Sequence, residues 1–149
     1  QADGRWQKFI GNSQVDASLL ALSTPYRVVS ANDPVMLCTA QKIEQDLCPG
    51  GVRRYATDTY FGGGQWLLLA AWLGWYWCEA GKPEKASDLR DWVEAQVNEQ
   101  GWMPEQVPAQ LIDESMYAPW VQRWGPIANP LLWSHAEYLI LCRVLDAGK

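Results

Sequence analysis

The sequence predicts an all-α fold, and two observations carry that prediction. Five stretches place apolar residues at helical spacing, and no stretch alternates convincingly as a strand would. The character of the five also alternates along the chain: buried on most sides, amphipathic, buried, amphipathic, buried. A simple up-and-down bundle in water would make every helix amphipathic. Strict alternation suits a double ring of inner helices enclosed by outer ones, an α/α barrel. Five helices do not close such a ring. The 149 residues are thus expected to form one domain that is part of a barrel.

The first helix is expected at about 15–24, VDASLLALST, with Asn12 or Ser13 placed to cap it and Pro25 just beyond its end. The second is expected at about 34–47, where Asp33 is a good cap and Pro34 suits the first helical position. Its residues Met36, Ala40, Ile43 and Leu47 recur on one side, and Pro49-Gly50-Gly51 stops it. The third, about 64–80, is apolar all round and closed by Gly81. The fourth, about 83–99, has an apolar stripe of Ala86, Leu89, Trp92, Val93 and Val97 opposite a charged face. The fifth, about 130–146, is again nearly all apolar.

Composition narrows the function. With 12 Lys+Arg against 17 Asp+Glu the net charge is −5, and there is no basic run, so nucleic acid is not an expected partner. The longest apolar run, Trp66–Cys78, would be roughly 20 Å long as a helix, short of the roughly 30 Å that a membrane span requires. Four Cys without a C-x-x-C pair and a single His, His135, leave almost no ligands for zinc. Free buried thiols and a reducing, cytoplasmic setting are expected. The opening Gln1-Ala2-Asp3-Gly4 reads like the middle of a longer chain. Ten Trp stand against two Phe. Such an excess fits a large core with polar edges, or sugar binding, in which indole faces stack on pyranose rings.

If consecutive helices run antiparallel, the three buried ones share one rim, entered by loops 1–14, 48–63 and 100–129. Long loops on a rigid scaffold are where function is expected. Loop 50–66, GGVRRYATDTYFGGGQW, mixes two Arg with aromatics and five Gly. An arginine fork suits vicinal hydroxyls or a carboxylate. A glycine-rich turn with Arg53 and Arg54 paired to local acids is the other reading. In loop 100–108, QGWMPEQVP, Glu105 lies between Pro104 and Gln106, near Trp102. An apolar, aromatic setting can raise a carboxyl pKa, which makes Glu105 a candidate general base, or else a surface residue in a turn. Asp113 and Glu114 are rival carboxylates. His135 reads as a hydrogen-bonded core residue, and Asp16 as a first-turn residue favoured by the helix dipole.

Three stretches together resemble glycoside hydrolase family 15, the glucoamylase-like inverting enzymes. VDASLLAL is similar to that family's L-D-A-S-L-L helix start. RRYATDTYFGGGQW is similar to its R-Y-x-x-D-T-Y-Y-x-G-x-x-W segment. GWMPEQ with PLLWSHAEYL is similar to its P-E-Q loop and P-L-x-W-S-H-A helix. The resemblance implies an (α/α)6 barrel of twelve helices, of which residues 1–149 would be the C-terminal part, about five helices, without the N-terminal part. It implies an α-glucoside as substrate, Glu105 as general base, and Arg54, Tyr60, Trp66, Gln106 and Trp133 as sugar-binding residues, with no metal or cofactor. The family's general acid would lie upstream. Missing barrel, or self-association, would then cover the flanks of the inner helices. Phe61 stands where Tyr is common, and the segment QLIDESMYAPWVQRWG between the last two motifs is long and distinctive. A non-catalytic carbohydrate-binding or regulatory domain of the same fold is the alternative.

Overall fold

The computed structural model describes residues 4–147; Gln1–Asp3, at the head of loop 1–14, lie outside the described residues. The helices are α1 (Pro34–Leu47), α2 (Leu67–Glu79), α3 (Pro83–Glu94), α4 (Tyr117–Trp124) and α5 (Leu132–Ala147), preceded by a 3-10 helix at Ala17–Leu22. Two-residue strands β1 (Gln65–Trp66) and β2 (Gln106–Val107) pair antiparallel.

The first expected helix is shortened by its own cap. Asp16, rather than Asn12 or Ser13, accepts from the Ser18 N–H at 2.9 Å. The Ala17 N–H is drawn to the Arg54 carbonyl at 2.8 Å, so Asp16 and Tyr55 form an extended bridge and helical turns begin only at Ala17. In α1 the expected start holds: the Asp33 carboxylate accepts from the Val35 and Met36 N–H groups at 2.9 and 3.1 Å. Met36, Ala40, Ile43 and Leu47 are fully buried.

Helix α2 is the axis of the core. Nine of its thirteen residues are buried, including Tyr76 and Trp77. It begins three residues later than expected because Gln65 and Trp66 are extended, an arrangement the apolar run conceals. The Tyr76 hydroxyl donates to Ala31 O at 2.8 Å and the Trp72 indole to Thr24 O at 2.6 Å, whereas the buried Trp77 indole N–H has no hydrogen-bond partner among the described residues. Helix α3 covers one flank of α2 through Ala86, Leu89 and Val93. It ends at Glu94 rather than near 99. Beyond it the Asn98 side chain accepts from the N–H groups of Gln100 and Trp102, at 3.0 and 2.9 Å, and turns the chain.

Helix α4 lies inside the segment expected to be a loop. Helix α5 packs on α2 through one face only: Ser134, Leu141 and Leu145 are buried, whereas Leu132 and Leu139 are 82% and 65% exposed. It is apolar nearly all round but is covered on one side. The four cysteines are free; Cys38 is exposed and the other three are half-buried, not fully buried as expected. No helix among the described residues is long and apolar enough to cross a membrane. The fold is all-α, part of an α/α barrel.

Candidate active site

Three short backbone ladders bring the functional loops together. Trp66 N–H donates to Val52 O at 2.8 Å, and Ala17 N–H to Arg54 O, so segment 52–55 lies between the first 3-10 helix and β1. On the other edge of β1, Trp66 faces Gln106 and Gln65 faces Val107 across β2. Glu105, one residue before this ladder, is held by its N–H to Ala128 O at 2.8 Å. The preceding segment is fastened to the start of α5. Leu131 N–H donates to Met103 O at 2.8 Å, the buried Ser134 hydroxyl to Pro104 O at 2.9 Å, and Met103 N–H to His135 Nε2 at 3.1 Å. His135 is thus an acceptor that anchors the Glu105 loop.

Close packing explains the glycines of this region. At Gly63 the backbone is left-handed, with φ +77°, and a side chain there would meet Asp58 O at 2.1 Å. At Gly64 a Cβ would lie 2.5 Å from Val107 O, on β2 itself.

A cavity of about 590 Å³ opens where these loops meet. Arg54, Tyr60, Trp66, Glu105 and Trp133 all line it, at the N-terminal ends of the first 3-10 helix, α2 and α5. Gln106 does not. It is 1% exposed, beneath the β ladder beside Gly64, and its amide makes no hydrogen bond of good geometry. Trp102 lies away from the cavity and is 45% exposed. Asp113 caps the short Glu114–Met116 turn and Glu114 is exposed; neither lines the cavity.

The Arg54 guanidinium is gripped by Asp58, with Nε and Nη2 each 2.6 Å from a carboxylate oxygen. Asp58 is 1% exposed and also accepts from the Tyr60 N–H at 3.1 Å. Arg54 lies beside the Tyr60 and Trp66 rings, 4.8 and 4.9 Å from their centroids. Burial works against its charge, and the bonds and charge of Asp58 more than offset this, raising its pKa. Burial likewise pushes the Glu105 carboxyl above its usual range, offset in part by the neighbouring Gln106 amide and by the charge of Arg54. The Tyr60 phenol is pushed up by burial and by the charge of Glu105.

The reading of Arg53 and Arg54 as paired to local acids holds for Arg54, whose partner is Asp58, while Arg53 donates to Gln110 O. Tyr55, Trp72 and Asp16 also line the wall and were not singled out for it by the sequence. Lys8 stands 2.9 Å above the Tyr55 ring and 3.7 Å from Asp16, closing that wall. Among the described residues no three His, Cys, Asp or Glu side chains converge as metal ligands would. The arrangement suits a carboxylate that takes a proton from water, beside a fixed cation and aromatic faces that hold a polyhydroxylated ring.

No family model matches the chain. It is 45% identical over 140 residues to an isomaltose glucohydrolase of Kribbella flavida, covering 93% of this chain and 36% of that protein. Its structure superposes with a TM-score of 0.94 on a glycosidase variant in complex with glucose, at 43% identity, over 97% of this chain and 39% of that one. A bacterial glucoamylase complexed with acarbose matches with a TM-score of 0.67 at 29% identity, over 89% of this chain and 20% of that one. The chain therefore spans about a third of the length of the glucohydrolase it matches, and over nearly all its own length it has the fold of part of a glycosidase barrel.

Proposed function

We propose that this chain is the C-terminal portion of the catalytic barrel of a glucoamylase-like enzyme of glycoside hydrolase family 15, and that the whole protein releases β-glucose from the non-reducing end of an α-glucoside with inversion. The observation that carries the proposal is the convergence of Glu105, Arg54, Tyr60, Trp66 and Trp133 on one cavity. Inversion needs two carboxyl groups roughly 6.5–9.5 Å apart, one protonating the leaving oxygen and the other deprotonating water on the opposite face. Glu105 is the second of these. Its raised pKa, caused chiefly by burial, makes it a better proton acceptor than an exposed carboxylate. Arg54, fixed by Asp58, donates to sugar hydroxyls, while Tyr60, Trp66 and Trp133 supply stacking faces. Gln106 acts through the backbone ladder and the charge of Glu105 rather than on the sugar. The acid is supplied by a segment outside these residues, so residues 1–149 alone hydrolyse nothing.

The similarity to an isomaltose glucohydrolase favours an α-1,6 disaccharide among the possible substrates. The test is glucose release by the full-length protein from isomaltose, maltose and trehalose, with the anomer of the first-formed glucose followed by NMR. β-Glucose from any of them supports the proposal. α-Glucose, or no release from all three, overturns it.

A further inference from the structure

Trp133 joins the cavity wall from the first turn of α5, and it is 56% exposed. With over half of its surface uncovered, neighbouring side chains do little to fix its two side-chain torsions, and so which part of the ring meets a ligand. One directional contact does fix them. The indole Nε1–H donates to Glu137 Oε1 at 3.1 Å. The two residues are four apart on α5, and a helical side chain leans toward the N-terminal end of its helix. Glu137 therefore reaches back one turn toward the mouth of the cavity.

For stability alone, Glu137 is a poor choice at this position. It is half-buried, and its Oε2 is out of contact with solvent and has no hydrogen-bond partner among the described residues. Burial pushes the carboxyl above its usual range, offset in part by the bond from Trp133. A methionine of the same length would fill the space without leaving a carboxylate oxygen buried and unpaired. What the carboxylate adds is an acceptor for the indole N–H.

We infer that Glu137 is a positioning residue of the sugar site, which acts by holding the Trp133 indole in the orientation that meets the ligand. The N–H is thereby committed to Glu137. Trp133 then meets a pyranose through its apolar ring, against sugar C–H groups, rather than by donating to a hydroxyl. The inference rests on the reading of the cavity as an α-glucoside site.

The test measures kcat, KM and Tm of the full-length protein on an α-glucoside that it cleaves. Glu137→Met removes the acceptor and keeps the length. Its KM rises about three- to tenfold as the ring is released from one orientation, kcat changes less, and Tm stays level or rises. Glu137→Gln keeps an acceptor oxygen, and its KM stays within about twofold of the parent's. In a Trp133→Phe background, which has no N–H, Glu137→Met raises KM no further. An unchanged KM in Glu137→Met, a Glu137→Gln variant as impaired as Glu137→Met, or an undiminished effect in the Trp133→Phe background overturns the inference and leaves the cavity reading intact. A lowered Tm with kcat falling as much as KM rises also overturns it, and marks Glu137 as a residue of the fold alone. A parent protein that cleaves no α-glucoside overturns the cavity reading and this inference with it.

Discussion

Asp58 holds Arg54 by both Nε and Nη2 at 2.6 Å while it is almost completely withdrawn from water. A bidentate pair fixes the plane of the guanidinium as well as its position. The guanidinium stands beside Tyr60 and Trp66, so the pair sets the geometry of one wall of the cavity. Asp58→Asn keeps the shape and removes the charge. The variant loses stability by about 1–2 kcal/mol, at the lower end for hydrogen bonds to charged groups because Arg54 is partly solvated. Its KM for an α-glucoside in the full-length protein rises more than its kcat falls. Urea denaturation and steady-state kinetics read the two effects, and a KM unchanged from the parent's would show that Asp58 does not orient Arg54 for substrate.

Gly64→Ala tests how Glu105 is placed. The added methyl would stand 2.5 Å from Val107 O and 2.6 Å from Gln106 Oε1. Relieving that overlap pushes β2 away from β1, at a cost of about 1–3 kcal/mol, and carries Glu105 with it. Turnover falls in proportion greater than the loss of folded protein, as circular dichroism and activity on one sample would show. Full activity in a stably folded variant would mean that the β1–β2 ladder does not position Glu105.

The raised pKa of Glu105 has a pH signature. In the proposed role of general base Glu105 works only when deprotonated, so the acid limb of kcat/KM is expected above the usual carboxylate range. Arg54 lowers the Glu105 pKa by its charge, so Arg54→Ala moves that limb further toward neutral pH, besides weakening substrate binding. The stability effect has the opposite sense. A carboxyl whose folded pKa exceeds its unfolded one binds protons more tightly when folded. It contributes stability below the unfolded value, and that contribution is lost as pH rises through the folded value. Glu105→Gln therefore flattens the fall in stability across that window, which thermal unfolding at a series of pH values measures.

Exposed apolar residues on α5 predict association. Leu132 and Leu139 are 82% and 65% exposed on a helix whose other face is core. Residues 1–149 alone, at 16.8 kDa, sediment as dimers or larger species at high concentration, and Leu132→Glu with Leu139→Glu shifts them toward monomer. A strictly monomeric, well-folded species without these substitutions would contradict the reading of α5 as an inner helix of an incomplete ring.

Much of the fold was legible because the helical signals were local. Asp33-Pro34 marks the start of α1, and the apolar run 67–77 marks a helix covered on most sides. What was not legible depended on contacts distant in sequence. The β1–β2 ladder joins residues about forty positions apart and is only two residues long on each side, too short to alternate visibly. Helix α4 has eight residues and carries Pro119 in its first turn, where proline is tolerated but reads as a loop. The cavity was legible in part because Arg54, Tyr60 and Trp66 lie in one short segment whose spacing carries a recognisable motif. Gln106 shares a motif with Glu105 but lies in β2, buried beneath the ladder, whereas Glu105 precedes the strand and lines the cavity.

The most direct test of the account is Glu105→Gln in the full-length protein with isomaltose, the substrate that the Kribbella flavida relative's name points to, or with whichever α-glucoside the parent cleaves. The glutamine keeps the shape of the side chain and cannot take the proton of the attacking water. Turnover should fall by about 10²–10⁴, while binding of glucose, followed by calorimetry, stays within severalfold of the parent because Arg54 and the aromatic walls are untouched. A variant that binds glucose and keeps near-normal turnover would contradict the assignment of Glu105 as the general base.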